Sequence, residues 1–328
     1  MTLPATHPDA PKGHGASRRT VYAALAGNLA VAITKIVAAV VTGSSAMLSE
    51  AIHSIVDTGN EVLLLYGYRQ SEKRPNLIHP LGYGRELYFW SFIVALLLFS
   101  VGAGVSIYQG VRHVMEPDPV ENIRVTYVVL GLSFVFEAYS WWVAWKGFSQ
   151  VRAGQGFWEA FRKSKDPPAF MVLFEDTAAL VGIVIAAMGI YLSERLDLPM
   201  LDGVASILIG LVLAIIAGLL AMESKSLLIG ERAPPALVEA ICRIAAQQPG
   251  VRSANSALTA QLSPSQSLVA LSIEFAPTLT VAQVESCVSS IENRVKVMHP
   301  DVIALFVKPQ TLHQFQSAVR HRFGDAEN

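Results

Sequence analysis

The sequence predicts an α-helical membrane protein with six transmembrane helices, followed by a C-terminal α+β domain of ferredoxin-like type in the cytosol. Only 16% of the 328 residues are charged, whereas a soluble domain carries about 25%. Six apolar segments are each about 20 residues long, the length that crosses a hydrocarbon core of about 30 Å. Beyond Ser224 the pattern changes to short amphipathic helices and strands. These three observations together define the fold class.

The apolar segments define a transmembrane domain over residues 20–224. Its spans are expected near residues 20–42, 45–68, 88–112, 124–146, 169–193 and 201–223. The preceding residues 1–19 are polar and rich in Pro, Gly and Ala, which predicts a disordered cytosolic arm. The arm has no short apolar core followed by a small-residue cleavage site, so we expect no cleaved signal peptide.

Residues 225–312 alternate between helix and strand patterns in the order α-β-β-α-β. The stretches "PPALVEAICRIAAQQPGV" and "TVAQVESCVSSIENRVKVM" predict amphipathic helices, and "ANSALTAQL", "SLVALSIEFAP" and "DVIALFVKP" predict strands. This order fits a small two-layer domain of ferredoxin-like type. We expect a polar tail over residues 313–328.

Lys and Arg residues are concentrated in alternate loops. The arm carries three, the loop after the second span four and the loop after the fourth span five, whereas the intervening loops carry none, two and one. Short cytoplasmic loops hold the excess of positive charge. We therefore expect an integral protein of the bacterial inner (plasma) membrane, with both termini in the cytosol.

Ionisable residues inside the second span are the strongest functional signal. His53 and Asp57 are four residues apart, so both side chains leave the same face of a helix. A charge at the bilayer centre costs at least about 2.5–3.5 kcal/mol, and such residues pair with one another, face the bundle interior or mark an ion pathway. A His and a carboxylate one turn apart form half of a tetrahedral site for a divalent metal.

Acidic residues in two other spans lie at a similar depth. Counted at 1.5 Å per residue from the predicted cytosolic ends, Asp57 lies about 16 Å deep, Glu137 about 14 Å and Asp176 about 10 Å. A shared cation explains three acids in one layer, so we predict His53, Asp57, Asp176 and Glu137 as metal ligands. The alternative is that these groups only form hydrogen bonds that hold the bundle together. The adjacent Glu175 points about 100° away from Asp176, which favours a role either in supporting a metal ligand or in pairing helices.

Three segments together resemble the cation diffusion facilitators. They are "SEAIHSIVDTGNEVLLLYGYRQS" in the second span, "HPLGYGRELYFWSFIVALLLFSVG" after it, and "LDGVASILIG" in the sixth span. The run "LFEDTAALVG" in the fifth span resembles the zinc transporter 9 branch of that family. The resemblance covers essentially the whole chain and implies a dimeric secondary transporter, which moves zinc or a related divalent cation out of the cytosol in exchange for protons.

The resemblance also implies a membrane metal site with two ligands from the second span and two from the fifth. His53 and Asp57 match the second-span pair, and Asp176 matches the fifth-span aspartate. The partner expected one turn earlier is replaced by the apolar Val172. Three replacements are open: Glu137, Asn60 or water. A carboxylate-rich set favours Mn²⁺ or Fe²⁺, whereas the imidazole suits Zn²⁺.

The expected function is export of a divalent metal cation, with zinc first and Mn²⁺ or Fe²⁺ as further candidates, by exchange for protons. The expected partners are the metal ion, protons, the lipid bilayer and a second copy of the chain, with no resident cofactor. The net charge of −1 gives no basic field for nucleic acid. The alternative is a transport-inactive membrane metal sensor or assembly partner that retains the fold. An enzyme is not expected, because the spans hold one well-placed His and no Gly-rich phosphate loop.

Overall fold

The computed structural model describes residues 15–118, 120, 122–151 and 156–324. Its helices are, in chain order, α1 (Gly15–Thr42), α2 (Ser45–Ser71), α3 (Glu86–Leu97), α4 (Gly104–Met115), α5 (Ile123–Val151), α6 (Phe157–Lys163), α7 (Pro167–Leu196), α8 (Met200–Ile229), α9 (Pro235–Ala246), α10 (Val281–Met298) and α11 (Leu312–Phe323). Its strands are β1 (Val251–Ser263), β2 (Gln266–Phe275) and β3 (Val302–Pro309).

Within the described residues, four helical segments are long and apolar enough to cross a membrane. They are Glu86–Met115, Ile123–Ser149, Phe170–Leu196 and Met200–Ile229. The first consists of α3 and α4 joined by a π-helical segment, Leu98–Ala103, which sequence periodicity did not reveal. The chain is therefore an integral membrane protein. Helices α1 and α2 coincide with the first two predicted spans, but α1 contributes a shorter apolar stretch, Asn28–Thr42, and α2 carries the ionisable residues.

The ends of the predicted transmembrane domain differ from the structure. Helix α1 already begins at Gly15, so residues 15–19 of the predicted disordered arm are helical, while residues 1–14 lie outside the described part of the chain. Helix α8 runs through the predicted boundary at residue 224 and ends at Ile229. Its last turns, "ESKSLLI", contain no Gly or Pro, and the helix ends where Gly230 adopts a positive φ of 118°.

The predicted polar tail contains a further helix. Residues 312–323 form α11, and the Thr311 hydroxyl caps it by accepting a hydrogen bond from the backbone N–H of Gln314. A Thr followed three residues later by Gln is a recognised start signal for a helix, so the sequence did carry this information. Residues 325–328 lie outside the described part of the chain.

The C-terminal domain has one three-stranded sheet in the order β1-β2-β3. Strands β1 and β2 are antiparallel, whereas β2 and β3, which are separated by α10, are parallel. Ile241 of α9, Leu271 of β2 and Ile291 of α10 are fully buried in a shared apolar core. The element order α-β-β-α-β agrees with the prediction. A complete ferredoxin-like domain begins with one more strand.

The described residues form two compact units along the chain. The first runs up to Leu63 and includes Leu96–Val143 and Phe174–Ala217, and it holds all four predicted ligands. The second includes Leu64–Ala95 and Ala144–Leu173, together with everything from Gly218 onward. The division between the two units therefore falls within the long helices.

Helices α4 and α8 cross at facing glycines in the first unit. A Cβ added to Gly110 would lie 2.7 Å from the carbonyl oxygen of Gly203, and one added to Gly203 would lie 2.8 Å from that of Gly110. Real Cβ atoms do not approach backbone oxygens this closely. Small residues at membrane helix interfaces allow backbones to meet in this way.

We expect Gly203→Val to lower the thermal stability of the detergent-solubilised protein, because the new side chain would force α4 and α8 apart. Overpacking of this kind costs about 1–3 kcal/mol, and sometimes more. The matched control is Gly131→Val, since no atom lies within 4 Å of a Cβ built at Gly131. Equal loss of stability in the two variants would contradict the close crossing.

Candidate metal-binding site

The N-terminus of α2 is fixed by Asp202, which lies in the first turn of α8. Its buried carboxylate accepts hydrogen bonds from the Ser44 hydroxyl at 2.7 Å, the Ser45 N–H at 2.6 Å and the Ala46 N–H at 3.3 Å. The first N–H groups of a helix lack intrahelical partners, and the helix dipole favours a negative charge there. Asp202 therefore positions the helix that carries His53 and Asp57.

His53 and Asp57 come together on one face of α2, as their spacing predicts. The His53 Nδ1 and Asp57 Oδ1 atoms are 3.3 Å apart, and the His53 side chain is fully buried. Their approach lacks hydrogen-bond geometry, so both ring nitrogens of His53 and the Oδ1 atom of Asp57 have no hydrogen-bond partner within the described residues. Buried polar atoms are rarely left unsatisfied. The pair therefore offers free ligand atoms to an ion.

The two adjacent acids of α7 contact different helices. Glu175 Oε1 accepts a hydrogen bond from the Asn60 amide of α2 at 2.9 Å, in agreement with the predicted helix-pairing role, and its main chain lies beside the His53 ring. The Asp176 carboxylate lies beside the Ser140 side chain of α5. The Asp176 Oδ2 atom is buried and has no hydrogen-bond partner among the residues described. Asp176 thus retains one free ligand atom.

Glu137 lies against a buried lysine. Lys35 of α1 places its Nζ atom 3.7 Å from Glu137 Oε1 and 3.2 Å from Glu50 Oε2 of α2. The sequence led us to expect Glu50 or Glu61 as the partner of Lys35. The structure shows the pair with Glu50 and adds Glu137, which sequence reasoning did not connect with Lys35. The available signal was a lysine inside an apolar segment, because a buried ammonium needs a negative partner.

The four predicted ligands lie in the same region of the bundle, but they do not form one coordination sphere. Asp57 lies within electrostatic range of Glu137, Glu175 and Asp176. In the described part of the chain, no three His, Cys, Asp or Glu side chains stand close enough to hold a metal ion. The structure brings His53 and Asp57 into direct contact, and places Asp176 and Glu137 on the neighbouring helices α7 and α5. Val172, one turn before Asp176, supplies no ligand atom.

An integral membrane protein with imidazole and carboxylates gathered between its apolar helices has the features of a cation carrier. Residues 21–229 match the cation efflux transmembrane domain family. The match covers most of the chain, which therefore belongs to the cation efflux, or cation diffusion facilitator, family. This confirms the resemblance that the three sequence segments indicated. The family is one of cation transporters and not of enzymes.

Several relatives share this region. The human mitochondrial proton-coupled zinc antiporter SLC30A9 is 34% identical over 221 residues, which are 67% of this chain and 39% of that protein. Metal tolerance protein C4 of Arabidopsis thaliana is 32% identical over 216 residues, which are 65% of this chain and 47% of that protein. The cation-efflux pump FieF of Cronobacter sakazakii is 25% identical over 319 residues, covering 95% and 96% of the two chains. The chain thus spans only about two fifths of the human relative.

Proposed function

We propose that the chain is a secondary active transporter that exports a divalent metal cation from the cytosol in exchange for protons. Zinc is the first candidate, and Mn²⁺ and Fe²⁺ are further ones. The observation that carries the proposal is the fully buried His53, whose unpartnered ring nitrogens lie beside Asp57 inside an apolar helix bundle. Family membership and the activity of the human relative, a proton-coupled zinc antiporter, support it.

The proposal includes a membrane topology with six spans. Helices α1 and α2 are 28 and 27 residues long, and about 20 helical residues suffice to cross the hydrocarbon core. The distribution of Lys and Arg supports cytosolic termini in a bacterial inner membrane. The C-terminal domain would then be a cytosolic ferredoxin-like domain without its first strand, and it would serve dimerisation of two identical chains.

In the proposed site, His53, Asp57 and Asp176 hold the ion, and Glu137 completes the set. A metal-bound imidazole must be neutral and the carboxylates must be ionised, so ion binding displaces protons. When the site opens to an acidic compartment, protonation of His53 weakens binding, since a free histidine titrates near a pKa of about 6.5. Rocking of helices about a mid-membrane site would alternate the access. Metal and protons thus compete for the same atoms.

The test is Zn²⁺ uptake by proteoliposomes that contain the full chain. We expect Zn²⁺ to accumulate in vesicles with an acidic lumen, because protons leave as zinc enters, and to accumulate less when the gradient is collapsed with a protonophore. Mn²⁺ and Fe²⁺ are measured in parallel to rank the substrates. Uptake equal to that of protein-free vesicles would contradict a transport function.

A transport-inactive metal sensor is the second candidate function. It is favoured by Val172, which leaves the fifth-span position without a ligand atom, and by the separation of the acids in the described residues. The same vesicles distinguish the two candidates. A sensor binds Zn²⁺ without moving it, whereas a carrier does both.

A further inference from the structure

The buried ammonium of Lys35 has no part in the mechanism above. Its side chain is fully buried between α1, α2 and α5, where it contacts Glu50 at 3.2 Å and Glu137 at 3.7 Å. A charge at this depth is costly and is retained only with close partners. Lys35 therefore brings a permanent positive charge beside one of the proposed metal ligands.

The two carboxylates around Lys35 differ in their freedom to move. Glu50 is fully buried, and its Oε1 atom packs so closely against α7 that a Cβ at Gly182 would collide with it. Glu137 is 17% exposed and makes the longer contact with the ammonium. Glu50 is thus the fixed partner of Lys35, whereas Glu137 can turn away and leave Lys35 still paired.

We propose that Lys35 is an affinity-setting residue, a tethered cation that competes with the transported metal ion for Glu137. The proposal rests on the transport function proposed above. In the empty site the ammonium balances the Glu137 carboxylate. A divalent ion that binds Glu137 has to break its ion pair with Lys35. The free energy lost with that pair lowers the affinity of the site for the metal ion. The returning ammonium then favours release of the ion, because it restores the pair that the metal had displaced.

A purely structural role for Lys35 makes the opposite prediction. If Lys35 only joined α1, α2 and α5, its removal would loosen the bundle and weaken metal binding. If it competes with the metal, its removal frees Glu137 and strengthens metal binding. The sign of the change in Zn²⁺ affinity therefore separates the two roles.

The experiment is calorimetric titration of the purified full chain with Zn²⁺. The main variant is Lys35→Met combined with Glu50→Gln, which removes both charges so that the fully buried Glu50 carboxylate is not left without its ammonium partner. We expect it to bind Zn²⁺ about tenfold more tightly than the wild type. Adding Glu137→Gln should abolish this gain. In proteoliposomes the main variant should show a lower half-saturation concentration together with a lower maximal rate, because release becomes slower.

The matched control is Asn28→Leu, which removes another polar contact between α1 and α2, where the Asn28 amide donates to Glu61 at 2.7 Å, without changing any charge. This control should keep the wild-type affinity. Lys35→Gln, which retains a donor towards Glu50, should also bind more tightly and covers the case in which the double variant fails to fold. Unchanged or weaker Zn²⁺ binding in both Lys35 variants would contradict the proposed role of Lys35, whereas the proposed transport function would still stand. Absence of Zn²⁺ binding to the wild type would overturn the transport function as well.

Discussion

Asp57→Ala is expected to reduce proton-driven Zn²⁺ flux in proteoliposomes to background, a loss of at least about 100-fold. Loss of groups that merely orient a metal ligand already costs about 10- to 100-fold, and Asp57 is proposed as a ligand itself. Its carboxylate lies 3.3 Å from the His53 ring and has a buried oxygen without a hydrogen-bond partner. Without it, the second span offers a single imidazole, which cannot hold a divalent ion alone.

Two companion variants show whether the loss is specific. Asp57→Asn keeps the shape of the side chain but removes its charge, so we expect a loss nearly as large. Thr58→Val changes the next residue, whose hydroxyl donates to the Ser54 carbonyl at 2.8 Å on the same helix, and it should retain flux. Wild-type Zn²⁺ transport by Asp57→Ala would exclude Asp57 as a ligand.

Asp176→Asn and Glu175→Gln are expected to differ strongly although the residues are adjacent. Asp176 has a free buried oxygen and is proposed as a ligand, so its amide variant should lose flux by about 100-fold or more. Glu175 accepts a hydrogen bond from Asn60, and a glutamine oxygen can accept the same bond. We therefore expect Glu175→Gln to lose less than about tenfold.

Calorimetric titration of the same two variants checks the assignment independently of flux. Asp176→Asn should bind Zn²⁺ weakly, whereas Glu175→Gln should bind nearly as the wild type does. If Glu175→Gln bound Zn²⁺ more weakly than Asp176→Asn, Glu175 and not Asp176 would be the metal ligand. That result would also mean that Asn60 orients a metal ligand and does not simply pair helices.

Features that depend on local sequence were predicted well. The i, i+4 spacing of His53 and Asp57 is enough to place both on one face of α2, and the apolar length of α7 and α8 is enough to mark them as spans. The helix and strand order of the C-terminal domain likewise follows from short patterns. Helix ends were predicted less well, because a polar segment such as residues 15–19 can continue a helix that an apolar segment began.

Most contacts between helices could not be predicted from the sequence. Counting residues gives the depth of a side chain but not its direction around the bundle, so it could place Glu137 and Asp57 in one layer without revealing that Glu137 faces Lys35. The contact from Asp202 to the start of α2 joins residues about 157 positions apart and leaves no trace in either local pattern. The direction of a side chain across a bundle is decided by how all the helices pack.

The attachment of Asp202 to the beginning of α2 limits how this molecule can change shape. Moving α2 separately from α8 would break four hydrogen bonds to one buried carboxylate, and the glycine crossing ties α4 to α8 in turn. The three helices are thus held together at these two points. We therefore expect the movement that opens the proposed metal site to occur in helices other than these three.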